Sequence, residues 1–229
     1  MRAVGIPART RHMVLIALIV NALLGAIPMP VAAAERTIRI VAFGDSLTAG
    51  FGLPQADAFP AQLERALKGK GYAVEVINAG VSGDTTAGGL DRFDWAVPDG
   101  ADAAILELGA NDALRGLDPA RARANLDAIV GKLKARSLDV LLAGMVAPRN
   151  WGDAYVASFD AIFPELARKH DALLYPFFLE GVALQREFDL GDGLHPNSKG
   201  VAEIVKRILP QVEALIGRIK QRRDAKSPG

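Results

Sequence analysis

Apolar positions along this chain switch repeatedly between a strand-like and a helix-like period. Thr37–Phe43 (TIRIVAF) is rich in β-branched residues and predicts a first strand. Phe59, Leu63 and Leu67 then recur on one helical face and predict a helix over Phe59–Lys68. Ala73–Ala79 (AVEVINA) predicts a second strand, Ala103–Leu108 a third, Val140–Met145 a fourth and Ala172–Tyr175 a short fifth. Asp118 followed by Pro119 marks a helix start, and Leu126, Ile129, Val130 and Leu133 carry that helix forward. Ala154–Lys169 predicts another helix. Val201–Ile219 predicts the last, apolar along one side from Val201 to Ile219, with a kink at Pro210.

Strands that alternate with helices across short connections imply parallel pairing, with helices on both faces. The expectation is one α/β domain over residues 35–220, a three-layer α/β/α sandwich around a mostly parallel five-stranded sheet. The basic end (Arg218, Lys220, Arg222, Arg223, Lys226), with residues 221–229 as a tail, is expected to be a solvated helix end. Cations there suit the helix dipole, so a partner site is the weaker reading.

Residues 1–34 stand outside this alternation. Arg2, Arg9 and Arg11 precede an apolar run from Met13 to Ile27, then Pro28, Pro30 and Ala32-Ala33-Ala34. A basic start, an apolar middle and a small-residue end predict a secretory signal peptide cleaved after Ala34, and so a periplasmic or secreted protein. A retained anchor is the rival, but Asn21 and the prolines interrupt the run. Composition then reads differently. The whole chain of 229 residues carries 27 Lys and Arg against 26 Asp and Glu. Without the three leader arginines the balance is 24 against 26, or −2. A hydrophobic content of 50% argues against disorder, and the charge gives no reason to expect nucleic acid. The chain has no cysteine, which excludes disulfides, thiolate metal ligands, a cysteine nucleophile and a lipidated N-terminal cysteine. No His/Asp/Glu spacing suggests a metal site.

Open α/β sheets bind ligands beyond the carboxyl ends of their strands. There the chain places Gly44-Asp45-Ser46-Leu47, then Val81-Ser82-Gly83-Asp84-Thr85, then Gly109-Ala110-Asn111-Asp112. A serine nucleophile needs a base, usually histidine. Of three histidines, His12 lies in the leader and His170 at a predicted helix end, where a structural role is expected. His195 remains, with Asp192 three residues before it and Gly191 and Gly193 allowing a tight turn that brings the carboxylate to the ring. The backbone N–H groups of Ser46 and Gly83 and the side-chain amide of Asn111 are candidate donors to an oxyanion.

Gly44-Asp45-Ser46-Leu47, Gly83, Gly109-x-Asn111-Asp112 and Asp192-x-x-His195, in that order, resemble the GDSL/SGNH hydrolases across nearly the whole mature chain. The resemblance implies a flavodoxin-like layered fold. It also implies Ser46, Asp192 and His195 as catalytic residues, an oxyanion hole of Ser46, Gly83 and Asn111, and no metal or cofactor. Ser82–Thr85, Glu107–Gly116 and Pro176-Phe177-Phe178 are similar to the periplasmic acyl-CoA thioesterase/lysophospholipase/arylesterase subgroup, which implies acyl esters, lysophospholipids and acyl-CoA-like thioesters as small-molecule substrates. No stable membrane anchor is expected once the leader is cleaved. A monomer or small oligomer is expected. A Gly-x-Ser-x-Gly elbow is lacking, which disfavours an α/β-hydrolase fold.

Other residues near these motifs have plainer readings. Asp45 is expected to tie down its own loop, Asp84, Thr85 and Thr86 to cap the next helix, and Asp112 to support the Asn111 loop. Met145, Pro148 and Trp151, with Val146 and Tyr155, are candidates for an acyl-chain channel. Two other functions stay open: a carbohydrate acetylesterase of the same architecture, and a flavodoxin-like module holding an anion on the Gly44–Gly52 turn, although that turn lacks a P-loop ending.

Overall fold

The computed structural model describes residues 36–225. The expected leader, residues 1–34, lies outside the described residues, as does Lys226. Five strands form one sheet: β1 (Ile38–Gly44), β2 (Val74–Gly80), β3 (Ala103–Glu107), β4 (Asp139–Ala143) and β5 (Leu173–Tyr175). Their order is β2-β1-β3-β4-β5 and every pairing is parallel. Gly44 stands opposite both Gly80 and Glu107, so the loops leaving β1, β2 and β3 begin at one edge. The chain winds outward in opposite directions from β1, which opens a crevice between β1 and β3.

The strands are apolar on both faces because both are covered; β3 is buried at every position. Helix α1 (Ser46–Ala49) follows β1 directly, and α2 (Phe59–Gly69) follows it. Between β2 and β3 lie α3 (Thr86–Asp91) and α4 (Phe93–Ala96), and between β3 and β4 lie α5 (Ala110–Leu114) and α6 (Pro119–Ala135). The Asp118 carboxylate accepts from Ala120 N–H with Pro119 at the first helical position, as its sequence predicts. Then come α7 (Asp153–Asp160), α8 (Ile162–Lys169) and the long α9 (Ser198–Asp224). Helix α2 packs with α9 in one layer, and α6 packs with α3, α7 and α8 in the other.

Two expectations change here. The single helix expected over Ala154–Lys169 is two, broken at Ala161. Pro164 has no N–H for the Asp160 carbonyl, and its ring crowds that oxygen, so the bonding is interrupted there although Ala161 keeps helical backbone angles. The last helix stays helical through Pro210 and reaches Asp224, and Arg222 and Arg223 of its basic end are bound to the domain rather than left in solvent. Arg222 pairs with Asp139 at 3.0 Å and donates to Asp102 O, while Arg223 pairs with Asp102 at 2.8 Å and donates to Arg36 O. These contacts hold α9 to the amino ends of β1, β3 and β4. Sequence charge alone does not distinguish such a clasp from a solvated end.

Candidate active site

The first loop begins with a steric constraint. A Cβ on Gly44 would lie 2.1 Å from Thr48 Oγ1 and 2.5 Å from Glu107 O, so only glycine lets the chain turn tightly out of β1. Asp45 is the next residue and caps α1: its Oδ1 accepts Leu47 N–H at 3.0 Å. This puts Ser46 in the first turn with its backbone N–H directed out of the helix and without an acceptor among the described residues.

His195 reaches Ser46 from the far end of the chain. Gly191 and Gly193 both take positive φ, and between them Asp192 uses its two oxygens separately. Oδ1 accepts the N–H groups of Leu194 and His195, each at 2.9 Å, which closes the turn. Oδ2 takes the ring nitrogen Nδ1 at 2.6 Å. That partnership assigns the proton to Nδ1 and leaves Nε2 as acceptor, 3.0 Å from Ser46 Oγ. The backbone N–H of His195, its ring and Leu194 N–H, in that order, hold the Asp192 carboxyl down at about 2. Phe51 lies against the imidazole with ring centroids 4.5 Å apart. Asn197 anchors the same loop by capping α9 and donating to Glu187 O and Asp189 O.

Asn111 lies on α5, just past β3, with its amide oriented from both sides. Its Nδ2 donates to Asp45 Oδ2 at 3.2 Å, and its Oδ1 accepts from Arg115 at 3.4 Å. One N–H of the amide stays available. Gly83 has φ +83, a conformation that glycine adopts without strain, and its N–H has no acceptor among the described residues. Arg115 also donates to Gly83 O at 3.0 Å, so one guanidinium joins the Gly83 and Asn111 loops. His170, as expected, is held elsewhere, by Asp127 at 2.5 Å.

Supporting residues divide differently from expectation. Thr85 caps α3, but Asp84 pairs with Arg92, and Thr86 bonds Asp112 through both its N–H and its hydroxyl. Glu107, which sequence reasoning passed over, lies fully buried beneath the Ser46 turn, accepting from Thr48 Oγ1 at 2.7 Å. Burial first, and Asp45 second, push its carboxyl well above the usual range.

Burial also pushes Asp45 up to about 6, against the opposing pull of Leu47 N–H and the Asn111 amide. That value exceeds its ordinary 3.8, so the folded protein keeps an extra proton between about pH 4 and 6. The associated stability is complete below the unfolded value and lost as pH rises through the folded one. Urea unfolding should therefore show Asp45→Asn gaining on the native protein by on the order of 2–3 kcal/mol between pH 4 and 7. A difference independent of pH would show that Asp45 is not shifted.

A cavity of about 460 Å³ opens at Ser46, Asn111 and His195 and is mainly apolar. Met145 and Pro148 line it, as the sequence suggests. Trp151 does not: its ring covers Gly116, where a Cβ would come within 2.7 Å, and Tyr155 lies beside it. The segment from Pro176 to Pro196 supplies most of one wall, including Phe177, Leu179, Val182, Leu184 and Phe188. Among the described residues no His/Asp/Glu cluster has the arrangement of a metal site, and no helix is long and apolar enough to cross a membrane.

A serine, an imidazole and a carboxylate in hydrogen-bonded series, at the carboxyl edge of a parallel five-stranded sheet, define the class as an α/β/α serine hydrolase. The GDSL-like lipase/acylhydrolase family matches residues 42–202, and the chain belongs to that family. Esterase TesA of Pseudomonas aeruginosa is 34% identical over 201 residues, covering 87% of this chain and 99% of its relative. Thioesterase 1/protease 1/lysophospholipase L1 of Escherichia coli K12 is 37% identical over 186 residues, covering 81% and 87%. The crystal structure of AlinE4, an SGNH-hydrolase family esterase, is 48% identical with a TM-score of 0.67, covering 80% of this chain and 98% of that one.

Proposed function

We propose that the protein hydrolyses carboxylic esters and thioesters of apolar acyl chains through an acyl-enzyme on Ser46. The observation that carries this reading is the 3.0 Å contact between Ser46 Oγ and His195 Nε2 at the mouth of an apolar cavity. His195 Nε2 takes the hydroxyl proton as Oγ attacks the acyl carbonyl carbon. Asp192 keeps the ring in the accepting tautomer and stabilises the imidazolium. The carbonyl oxygen, now negative, lies among Ser46 N–H, Gly83 N–H and the free N–H of Asn111, all supplied by the protein before reaction. Collapse of the tetrahedral species breaks the bond to the alcohol or thiol, which leaves with the proton from His195. Water, deprotonated by the same ring, then attacks the acyl-enzyme; the acid departs and Ser46 regains its proton.

The relatives' printed names, an esterase and a thioesterase/lysophospholipase, favour the same chemistry. The side chains along Pro176–Pro196 favour a chain longer than acetyl, because an acetyl group leaves most of the cavity wall uncovered. We also place the protein outside the cytoplasm, with residues 1–34 removed on export. A panel of nitrophenyl esters from C2 to C12, with acetylated xylan beside it, tests the reading on exported protein whose intact mass begins at Glu35. kcat/KM should rise ~10-fold or more from C2 to C8, since tenfold needs about 1.4 kcal/mol, a fraction of what about six CH₂ groups at about 0.8 kcal/mol each gain on full burial. Preference for the acetylated glycan would replace the lipid reading with the carbohydrate one.

A further inference from the structure

The three donors assigned above to the oxyanion come from three loops, and nothing within any one loop sets its distance from the others. Arg92 supplies a connection. It lies at the junction of α3 and α4 with its side chain 6% exposed, too deep to meet substrate. Its guanidinium bonds three groups. Nη2 donates to Gly44 O and Nη1 to Ala79 O, both at 2.8 Å, while Nε pairs with Asp84 Oδ2 at 2.5 Å. Gly44 ends β1 two residues before Ser46, Ala79 lies at the end of β2, and Asp84 directly follows Gly83. The guanidinium plane also lies over the Phe43 ring, 4.3 Å from its centroid, which fixes the orientation of the fork.

These bonds complete a closed circuit of side chains. Asp45 holds Asn111, Arg115 joins Asn111 to Gly83, and Asp84 passes the connection through Arg92 back to Gly44. Val81 N–H donates to Gly44 O as well, at 3.0 Å, so that carbonyl is held from two directions. We propose that Arg92 is a positioning residue for the reaction: it fixes the separation of the Ser46 and Gly83 N–H donors by joining the ends of the strands that carry them. The inference rests on the oxyanion role given to those donors under Proposed function. A guanidinium is suited to this, because its planar fork offers donors in fixed directions, whereas an ammonium offers one point charge.

The test compares Arg92→Gln, Arg92→Lys and, as a reference, Arg136→Gln. Arg136 bonds a carbonyl (Val97 O) and an aspartate (Asp94) and lies over Phe93, but joins none of the three loops. Turnover of a nitrophenyl ester is expressed per serine titrated with a fluorophosphonate, which removes any effect of a smaller folded fraction. Arg92→Gln should lower kcat per titrated serine ~30-fold, short of the 10²–10³ for deleting a donor outright, with KM within about threefold. Arg92→Lys should lose ~10-fold despite its retained charge, because it cannot reach both carbonyls. Arg136→Gln should lower Tm and leave kcat per serine unchanged. Should Arg92→Gln not fold, Arg92→Lys decides the matter by the same measure. A kcat within threefold of the native value in the Arg92 variants, or an equal loss in Arg136→Gln, overturns the inference. Full turnover by Ser46→Ala would instead overturn the catalytic reading beneath it, while an inactive Ser46→Ala beside an unimpaired Arg92→Lys overturns this inference alone.

Discussion

Ser46→Ala should lower kcat for ester hydrolysis by about 10⁶-fold, to a residue of background, with Tm and the circular dichroism spectrum unchanged. The size follows from the mechanism: without Oγ there is no acyl-enzyme, and His195 has no hydroxyl to activate. The neutrality toward folding follows from the site's construction. Ser46 contributes its side-chain oxygen to His195 and its backbone N–H to the cleft, while the turn is held by Asp45, Thr48 and Gly44. Removing one oxygen leaves all of these in place. Substrate should still bind, since the wall residues are untouched, so equilibrium binding of a fatty-acid product should stay within a few-fold of native. Loss of folding together with activity would mean that the hydroxyl is a structural element of the turn.

The second large effect should come from Asp192→Asn, a fall in kcat on the order of 10³–10⁴-fold with KM little changed. The asparagine oxygen can replace Oδ1 and still accept Leu194 and His195 N–H, so the turn survives. Its NH₂ then faces Nδ1, which must become an acceptor. The ring proton moves to Nε2 and points at Ser46, and the base has been turned into a donor. Asp192 is 40% exposed, so water competes for the ring, which places the expected loss toward the lower end of the range. With its folded carboxyl near 2, the native aspartate is ionised throughout an assay between pH 4 and 9. Its stabilising contribution is present above the unfolded value of 3.8 and fades only as pH falls through about 2. The acid limb of the rate profile therefore belongs to another group. Equal activity of the variant and the native protein at any pH between 6 and 8 would remove Asp192 from the triad.

The residues proposed to carry the chemistry are more legible in the sequence than the residues that hold them. Ser46, Gly83 and Asn111 each follow a strand, in a cluster of small and polar residues that interrupts the apolar pattern. With three histidines in the chain, only His195 had a carboxylate at turn spacing. The strands were visible because parallel strands covered on both faces become short runs of β-branched and aliphatic residues. Arg92 and Glu107 left no such mark. Each is a single charged residue in a helix or strand pattern, where charge usually means solvent; Glu107's partners Asp45 and Thr48 come from a different strand–loop unit, and Arg92's are divided among the end of β1, the end of β2 and the loop that carries Asp84. The cavity wall was hidden for another reason: Phe177, Leu179, Val182, Leu184 and Phe188 lie in an irregular segment, so no period gathers them onto a face. Pro164 is a local mark of the boundary between α7 and α8.

The stretch from Pro176 to Pro196 has a double task. It ends one residue beyond His195, and it also carries much of the apolar wall. On the proposed function, selectivity and proton transfer are therefore inherited together on about twenty consecutive residues. A lineage that changes acyl preference by exchanging or lengthening this stretch places its general base at risk in the same event. Change by point substitution at Leu179, Val182 or Leu184 carries no such penalty. The evolutionary route to a new substrate is thus biased toward small steps in the wall, and away from loop replacement.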